Sequence, residues 1–109
     1  MATTLQNTLR ELGIPRTYCG YKLTIAAVEL GLQDEDRLLS VTKEIYWAVA
    51  DQCGCDRSHV ERNIRTIIMR AWSVNRPLLL DIAGYPLEAP PSVSEFIDML
   101  VSYLQRNAA

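Results

Sequence analysis

Three groups of side chains in this sequence have the types and spacing that chemistry needs. The first is Glu61-Arg62-Asn63-Ile64-Arg65, inside a stretch where Val60, Ile64, Ile67, Ile68 and Ala71 recur at the 3.6-residue period of a helix. With those apolar residues facing inward, Ser58, Glu61, Arg62, Arg65 and Met69 share the outer side. Arginine donates two parallel hydrogen bonds to guanine O6 and N7, and a carboxylate accepts from cytosine N4, so this face holds the groups that read base edges. Glu61 also stands one turn before Arg65 and can orient it. Ser58 and His59, in the first turn, suit a phosphate at the helix N-terminus.

The second group is Cys53-Gly54-Cys55 with His59. It lacks a visible fourth ligand, and Cys-x-Cys is not the usual Cys-x2-Cys zinc knuckle, so no metal or other cofactor is expected. The thiols are read instead as small apolar packing groups; three cysteines are too few and of the wrong parity for a disulfide framework. The third group is His59 alone. No nucleophile or carboxylate constellation surrounds it, and the sequence predicts no catalysed reaction.

The charge is unevenly placed. The chain carries a formal net charge of −2, which by itself argues against nucleic acid. Five of its arginines, however, fall between Arg57 and Arg76 against the single carboxylate of Glu61, a basic segment on an acidic remainder. A localised phosphate contact needs that distribution.

The elements that must position these residues are helical. Leu5, Leu9 and Leu12 predict a first helix over Thr4 to Leu12, stopped by Gly13 and Pro15. Tyr21, Ile25, Val28 and Leu32 mark a second stripe broken by Gly31, and Asp34-Glu35-Asp36 suits the first turn of a short helix through Leu39. A third stripe, Val41, Ile45, Ala48 and Val49, closes at Gly54. Asp56 is a competent N-cap for the fourth helix, which runs to Trp72. Pro77 fits the first turn of a short piece ending near Gly84; Tyr85 to Pro91 reads as an ordered loop; Ser92 and Glu95 form a capping box ahead of Phe96, Ile97, Leu100, Val101 and Leu104. No alternating run suggests a strand. The expected fold class is all-α, a compact bundle of about six helices in one domain over residues 1–109. Tyr46, Trp47 and Trp72 are expected in the core or at its edge, not as a stacking platform.

Residues from about 42 to 72 have the pattern of a helix-turn-helix, in which one helix braces a second so that its outer face enters the major groove. Ala50 is small enough for close approach, Gly54 permits a positive φ in the turn, and Val49, Cys53, Cys55 and Val60 are expected to supply the contacts.

Taken in order, Gly20-Tyr21, Ser40-Val41-Thr42-Lys43 leading into Tyr46, Val60-Glu61-Arg62-Asn63-Ile64-Arg65, Ala71-Trp72-Ser73, Gly84-Tyr85 and Ser94-Glu95-Phe96-Ile97 resemble the C-terminal effector domain of the sporulation master response regulator, stage zero sporulation protein A. The resemblance covers nearly the whole chain. It implies a six-helix DNA-binding domain that binds a short promoter box and controls sporulation initiation genes in spore-forming Firmicutes, normally joined to a receiver domain that these residues do not contain. It implies Glu61, Arg62 and Arg65 as base readers, Ser58 and His59 near phosphates, and Asn63 and Thr66 as flanking contacts. His59 stands where that family has a basic residue, and Asn63 where it has a small one. Double-stranded DNA is the implied partner, with the sigma subunit of RNA polymerase and a second copy on tandem DNA sites as further ones. The resemblance points to the cytoplasm and the nucleoid. No apolar run approaches the roughly 18 residues of a spanning helix, and no membrane partner is expected.

Two other readings compete. One is a protein-interaction module that docks partners through the apolar helix from Ser92 to Arg106 and the Pro77 to Ile82 segment, its arginines serving only solubility. The other is a small metal or redox protein built on Cys53, Cys55 and His59.

Overall fold

A computed structural model describes residues 2–107; the expected domain limits at 1, 108 and 109 lie outside the described residues. Six α-helices make up the domain: α1 (Ala2–Glu11), α2 (Cys19–Gln33), α3 (Trp47–Cys53), α4 (Arg57–Val74), α5 (Arg76–Ala83) and α6 (Val93–Asn107). A 3₁₀ segment, Glu35–Ser40, and a π segment, Thr42–Tyr46, join α2 to α3, and the described residues include no strand. The fold is the expected all-α bundle.

The centre of the bundle is α2, held between α4 and α6. This double embrace corrects the expected single stripe. Tyr21 and Val28 are buried as predicted, but so are Leu23, Thr24, Ala27, Leu30 and Gly31, while Ile25 and Leu32 are only half-buried. Gly31 does not break the helix, which continues to Gln33. It is a contact point: a Cβ there would stand 2.9 Å from Val101 Cγ2 of α6 and 3.2 Å from Leu38 Cδ2. Gly20 is tighter still, since a Cβ would meet the Asn63 carbonyl oxygen at 2.4 Å and Ile67 Cγ1 at 2.5 Å. The backbones of α2 and α4 approach as closely as they do because residue 20 has no side chain.

Leu5, Leu9 and Leu12 seat α1 on the core as predicted. The carbonyls that its C-terminus leaves unbonded are met by α4: Asn75 Nδ2 donates to Glu11 O at 2.8 Å and Arg70 Nε to Gly13 O at 2.9 Å. The reading frame of α4 is therefore fixed near its middle, by Gly20, and near its finish, by the end of α1.

Between Val41 and Val49 the buried residues Val41, Ile45 and Val49 recur every fourth position, a spacing an amphipathic α-helix also shows. Here the first part of that stripe, Thr42–Tyr46, takes π form before α3 begins. The acidic segment before it takes 3₁₀ rather than α form; Asp34 caps it by accepting from the Asp36 amide at 3.0 Å, and it buries no residue. Ser92 and Glu95 form the predicted capping box reciprocally: the Ser92 amide donates to Glu95 Oε1 at 2.9 Å and the Glu95 amide to Ser92 Oγ at 3.2 Å. Beyond it Phe96, Ile97, Leu100, Val101 and Leu104 are buried.

Candidate nucleic-acid interface

The turn between α3 and α4 is built as the sequence requires. Gly54 takes φ 67° and ψ 36°, left-handed, and both its amide and that of Cys55 donate to the Ala50 carbonyl, the latter at 2.9 Å. Asp56 then caps α4, accepting from the His59 amide at 2.9 Å and from the Ser58 hydroxyl at 2.6 Å. Those bonds, the hydroxyl first, hold its carboxyl below the usual aspartate value. Val49, Ala50 and Val60 are buried at the junction.

Cys53 does not join them. It is exposed, as is Cys19, and Cys55 is half-buried, so the expectation of buried packing thiols is corrected for two of the three. Trp47 is corrected as well. It lies 56% exposed with the Arg57 guanidinium stacked 4.4 Å from its ring centroid, whereas Tyr46 is buried and Trp72 packs against the core as expected. Trp47 begins α3 outside the core, and the Arg57 side chain at the start of α4 covers one face of its ring.

On α4 the predicted inner face is complete: Val60, Ile64, Ile67, Ile68 and Ala71 are all buried. The opposite side presents Ser58, Arg62, Arg65, Thr66 and Met69, all exposed, with Glu61 half-buried at one edge. Glu61 and Arg65 form an i,i+4 ion pair there. Beside them the buried Tyr46 phenol is pushed up to about 12, by burial first and by the Glu61 carboxylate second, with Arg65 pulling the other way. Tyr46 thus stays neutral behind the pair.

His59 and Asn63 sit on the other edge, half-buried, where α4 passes Gly20 of α2. The side-chain amide of Asn63 donates to the His59 carbonyl at 2.8 Å, and the Thr66 hydroxyl donates to that of Arg62 at 3.2 Å. Of the predicted flanking residues, Ser58 and Thr66 therefore share the outer face, and His59 and Asn63 border it.

The structure sorts the five arginines of the basic segment, which sequence alone could only count. Arg57 is stacked on Trp47, Arg70 is bonded to Gly13 and faces Tyr18 at 5.7 Å, and Arg76 stacks 4.0 Å from the Trp72 centroid while donating to the Trp72 carbonyl. Arg62 has no side-chain hydrogen bond or ion pair among the described residues, and Arg65 has only Glu61. Two of five thus project from the outer face. A neighbouring open groove of about 730 Å³, along Trp47 and the turn, is lined by Arg37, Lys43 and Arg57 but equally by Glu44, Asp51 and Asp56, and forms no phosphate track.

Residues 5–104 match the family described as "Sporulation initiation factor Spo0A C terminal". The chain belongs to that family. The match covers nearly the whole chain. In general terms the chain is thus a sporulation-initiation DNA-binding effector domain of the response-regulator class, and the family is one of transcription-factor DNA-binding domains rather than of enzymes.

The rival readings meet specific obstacles. The apolar face of α6 is spent in the core against α2 and α5, and Leu79 and Ile82 of α5 are buried with it, so neither segment presents the docking surface that an interaction module needs. Among the described residues no three His, Cys, Asp or Glu side chains are placed to hold a metal ion. No described helix is long and apolar enough to cross a membrane.

Proposed function

We propose that α4 is the recognition helix of this domain and that its outer face enters the major groove of a promoter box controlling sporulation initiation genes. The observation that carries this reading is the sorting of the arginines. Arg57, Arg70 and Arg76 are committed to the domain's own framework, and Arg62 and Arg65 alone among them extend from the exposed face of a helix held against α2 at its middle and against the end of α1 at its finish. A rigid helix with two outward guanidiniums has the geometry that bidentate readout of guanine needs.

In this reading Arg62 and Arg65 donate to guanine edges. Glu61 holds the Arg65 guanidinium in place and has its second oxygen for a cytosine amine. Ser58 and Thr66 on the face, and His59 and Asn63 on its border, meet the phosphates that wall the groove. For Ser58 that means exchanging its bond to Asp56, and for Asn63 and Thr66 their bonds to backbone carbonyls of α4. The family's further partners belong to the same reading: the sigma subunit of RNA polymerase and a second copy on tandem sites, with action in the cytoplasm on the nucleoid.

Fluorescence anisotropy of a labelled duplex carrying the sporulation box, against a scrambled duplex at two salt concentrations, tests the proposal. The expected result is tighter binding to the box and an affinity that falls linearly on logarithmic axes as salt rises. Equal affinity for both duplexes would refute base reading.

A further inference from the structure

All three cysteines and the single histidine of the chain line one cleft. It measures about 400 Å³, lies between the start of α2 and the turn before α4, and is bordered by Arg16, Cys19, Lys22, Cys53, Cys55 and His59 among others. Arg16 and Lys22 are its charged walls. No carboxylate lines it, and neither cation has an ion-pair partner among the described residues. The larger groove beside Trp47, by contrast, balances every cation with an acid. Here the charged side chains lining a thiol-rich concavity are the two cations Arg16 and Lys22, and no metal geometry is present among the described residues to account for it.

The three thiols are not equivalent. Cys53 is the last residue of α3, where the helix dipole opposes negative charge on sulfur. Burial first, then Cys53 and Asp56, push the Cys55 thiol up and keep it protonated. Cys19 is exposed, stands three residues from each of Arg16 and Lys22, and is the first residue of a 15-residue helix. Attack on a disulfide needs an accessible sulfur; Cys19 and Cys53 are both exposed, and of the two Cys19 starts its helix next to Arg16 and Lys22 in sequence whereas Cys53 ends its helix.

We propose that this cleft is a covalent site for a carboxylate-bearing low-molecular-weight thiol, attached to Cys19 as a mixed disulfide that weakens duplex binding. The Cys19 thiolate, its proton released to solvent, attacks one sulfur of the small disulfide. A new S–S bond forms, the old one breaks, and the other half leaves as a thiolate that takes up a proton; the disulfide supplied by the cell is the oxidant. Arg16 and Lys22 attract and hold the carboxylates. The adduct adds negative charge beside His59, at the border of the outer face of α4, where it repels DNA phosphates. This last consequence rests on the reading of α4 as the DNA-facing helix.

The test treats the reduced full chain with glutathione disulfide or with neutral hydroxyethyl disulfide, followed by intact mass, peptide mapping and duplex anisotropy at low salt. One adduct is expected, at Cys19, absent in Cys19→Ser and reversed by dithiothreitol. The Arg16→Gln/Lys22→Gln double variant should be slowed several-fold more with glutathione disulfide than with the neutral reagent, because only the former loses the attraction of its carboxylates. The adduct should lower duplex affinity several-fold. Modification confined to Cys53 or Cys55, an internal disulfide in place of an adduct, equal slowing with both reagents, or unchanged duplex affinity of the adduct would each overturn the proposal. Failure of the reduced, unmodified chain to bind duplex would count against the α4 reading instead, and the mass map distinguishes the two.

Discussion

Replacing Gly20 by alanine probes a place where two helix backbones touch. The added Cβ would lie 2.4 Å from the Asn63 carbonyl oxygen, 2.5 Å from Ile67 Cγ1 and 2.9 Å from the Asn63 carbonyl carbon. Ordinary contacts between such atoms start near 3.4 Å, so α2 and α4 must part by about 1 Å, and the obstacle is backbone that cannot swing aside. Overpacking of this kind costs about 1–3 kcal/mol, and the immovable neighbour places it at the upper end. Alanine recovers up to about 1 kcal/mol of helix propensity, leaving a net loss of about 2 kcal/mol. Gly31→Ala is the internal control. Its nearest atoms, Val101 Cγ2 at 2.9 Å and Leu38 Cδ2 at 3.2 Å, belong to side chains rather than backbone and the overlap is smaller, so the lesser overpacking and the propensity gain should hold the loss below about 1 kcal/mol. Urea unfolding followed by far-ultraviolet circular dichroism gives both values, with a melting temperature about 10 °C lower for Gly20→Ala. If Gly20→Ala is as stable as the parent, or Gly31→Ala is the worse of the two, the argument for backbone contact is refuted.

Two further outcomes follow from the caps. Ser92→Ala removes half of the reciprocal capping box of α6 and should cost about 1 kcal/mol in the same unfolding experiment; an unchanged midpoint would show the box to be energetically idle. Asp56 has a carboxyl held below its usual value by Ser58 and His59, so its contribution is present above the ordinary aspartate range and is lost as pH falls below about 4 through the lowered folded value. Asp56→Asn keeps a capping oxygen without a titrating group, and its stability should fall less steeply than the parent's between about pH 4 and pH 2. Parallel acid profiles for the two proteins would contradict the assignment.

Much of the site was legible because it depends on local periodicity. The buried set Val60, Ile64, Ile67, Ile68 and Ala71 is fixed by the α-helical period alone, and Gly54 and Asp56 mark the turn and the cap by their own backbone and side-chain preferences. What escaped depends on partners distant in sequence. Arg70 belongs to Gly13, 57 residues away, and Gly31 serves α6, so neither role is visible in its neighbours along the chain. The burial pattern of α2 misled because a helix packed on two sides has no single stripe. Residue type points Trp47 and Cys53 to the core, yet both are exposed, Trp47 under the Arg57 guanidinium and Cys53 at the cleft beside the start of α2. The π segment left no trace of its own, since the four-residue spacing of Val41, Ile45 and Val49 reads as an ordinary amphipathic helix until the geometry is seen.

The central claim, that the outer face of α4 reads bases, rests on Arg62 and Arg65. Its most direct test is the ratio of affinities for the box and the scrambled duplex at one salt concentration, measured for the parent, Arg62→Ala and Arg65→Ala. Each variant should lose about 1–3 kcal/mol of discrimination, because the lost contact is to a base and not to a phosphate common to all duplexes. If both alanine variants separate the two duplexes as well as the parent does, α4 is not the reader.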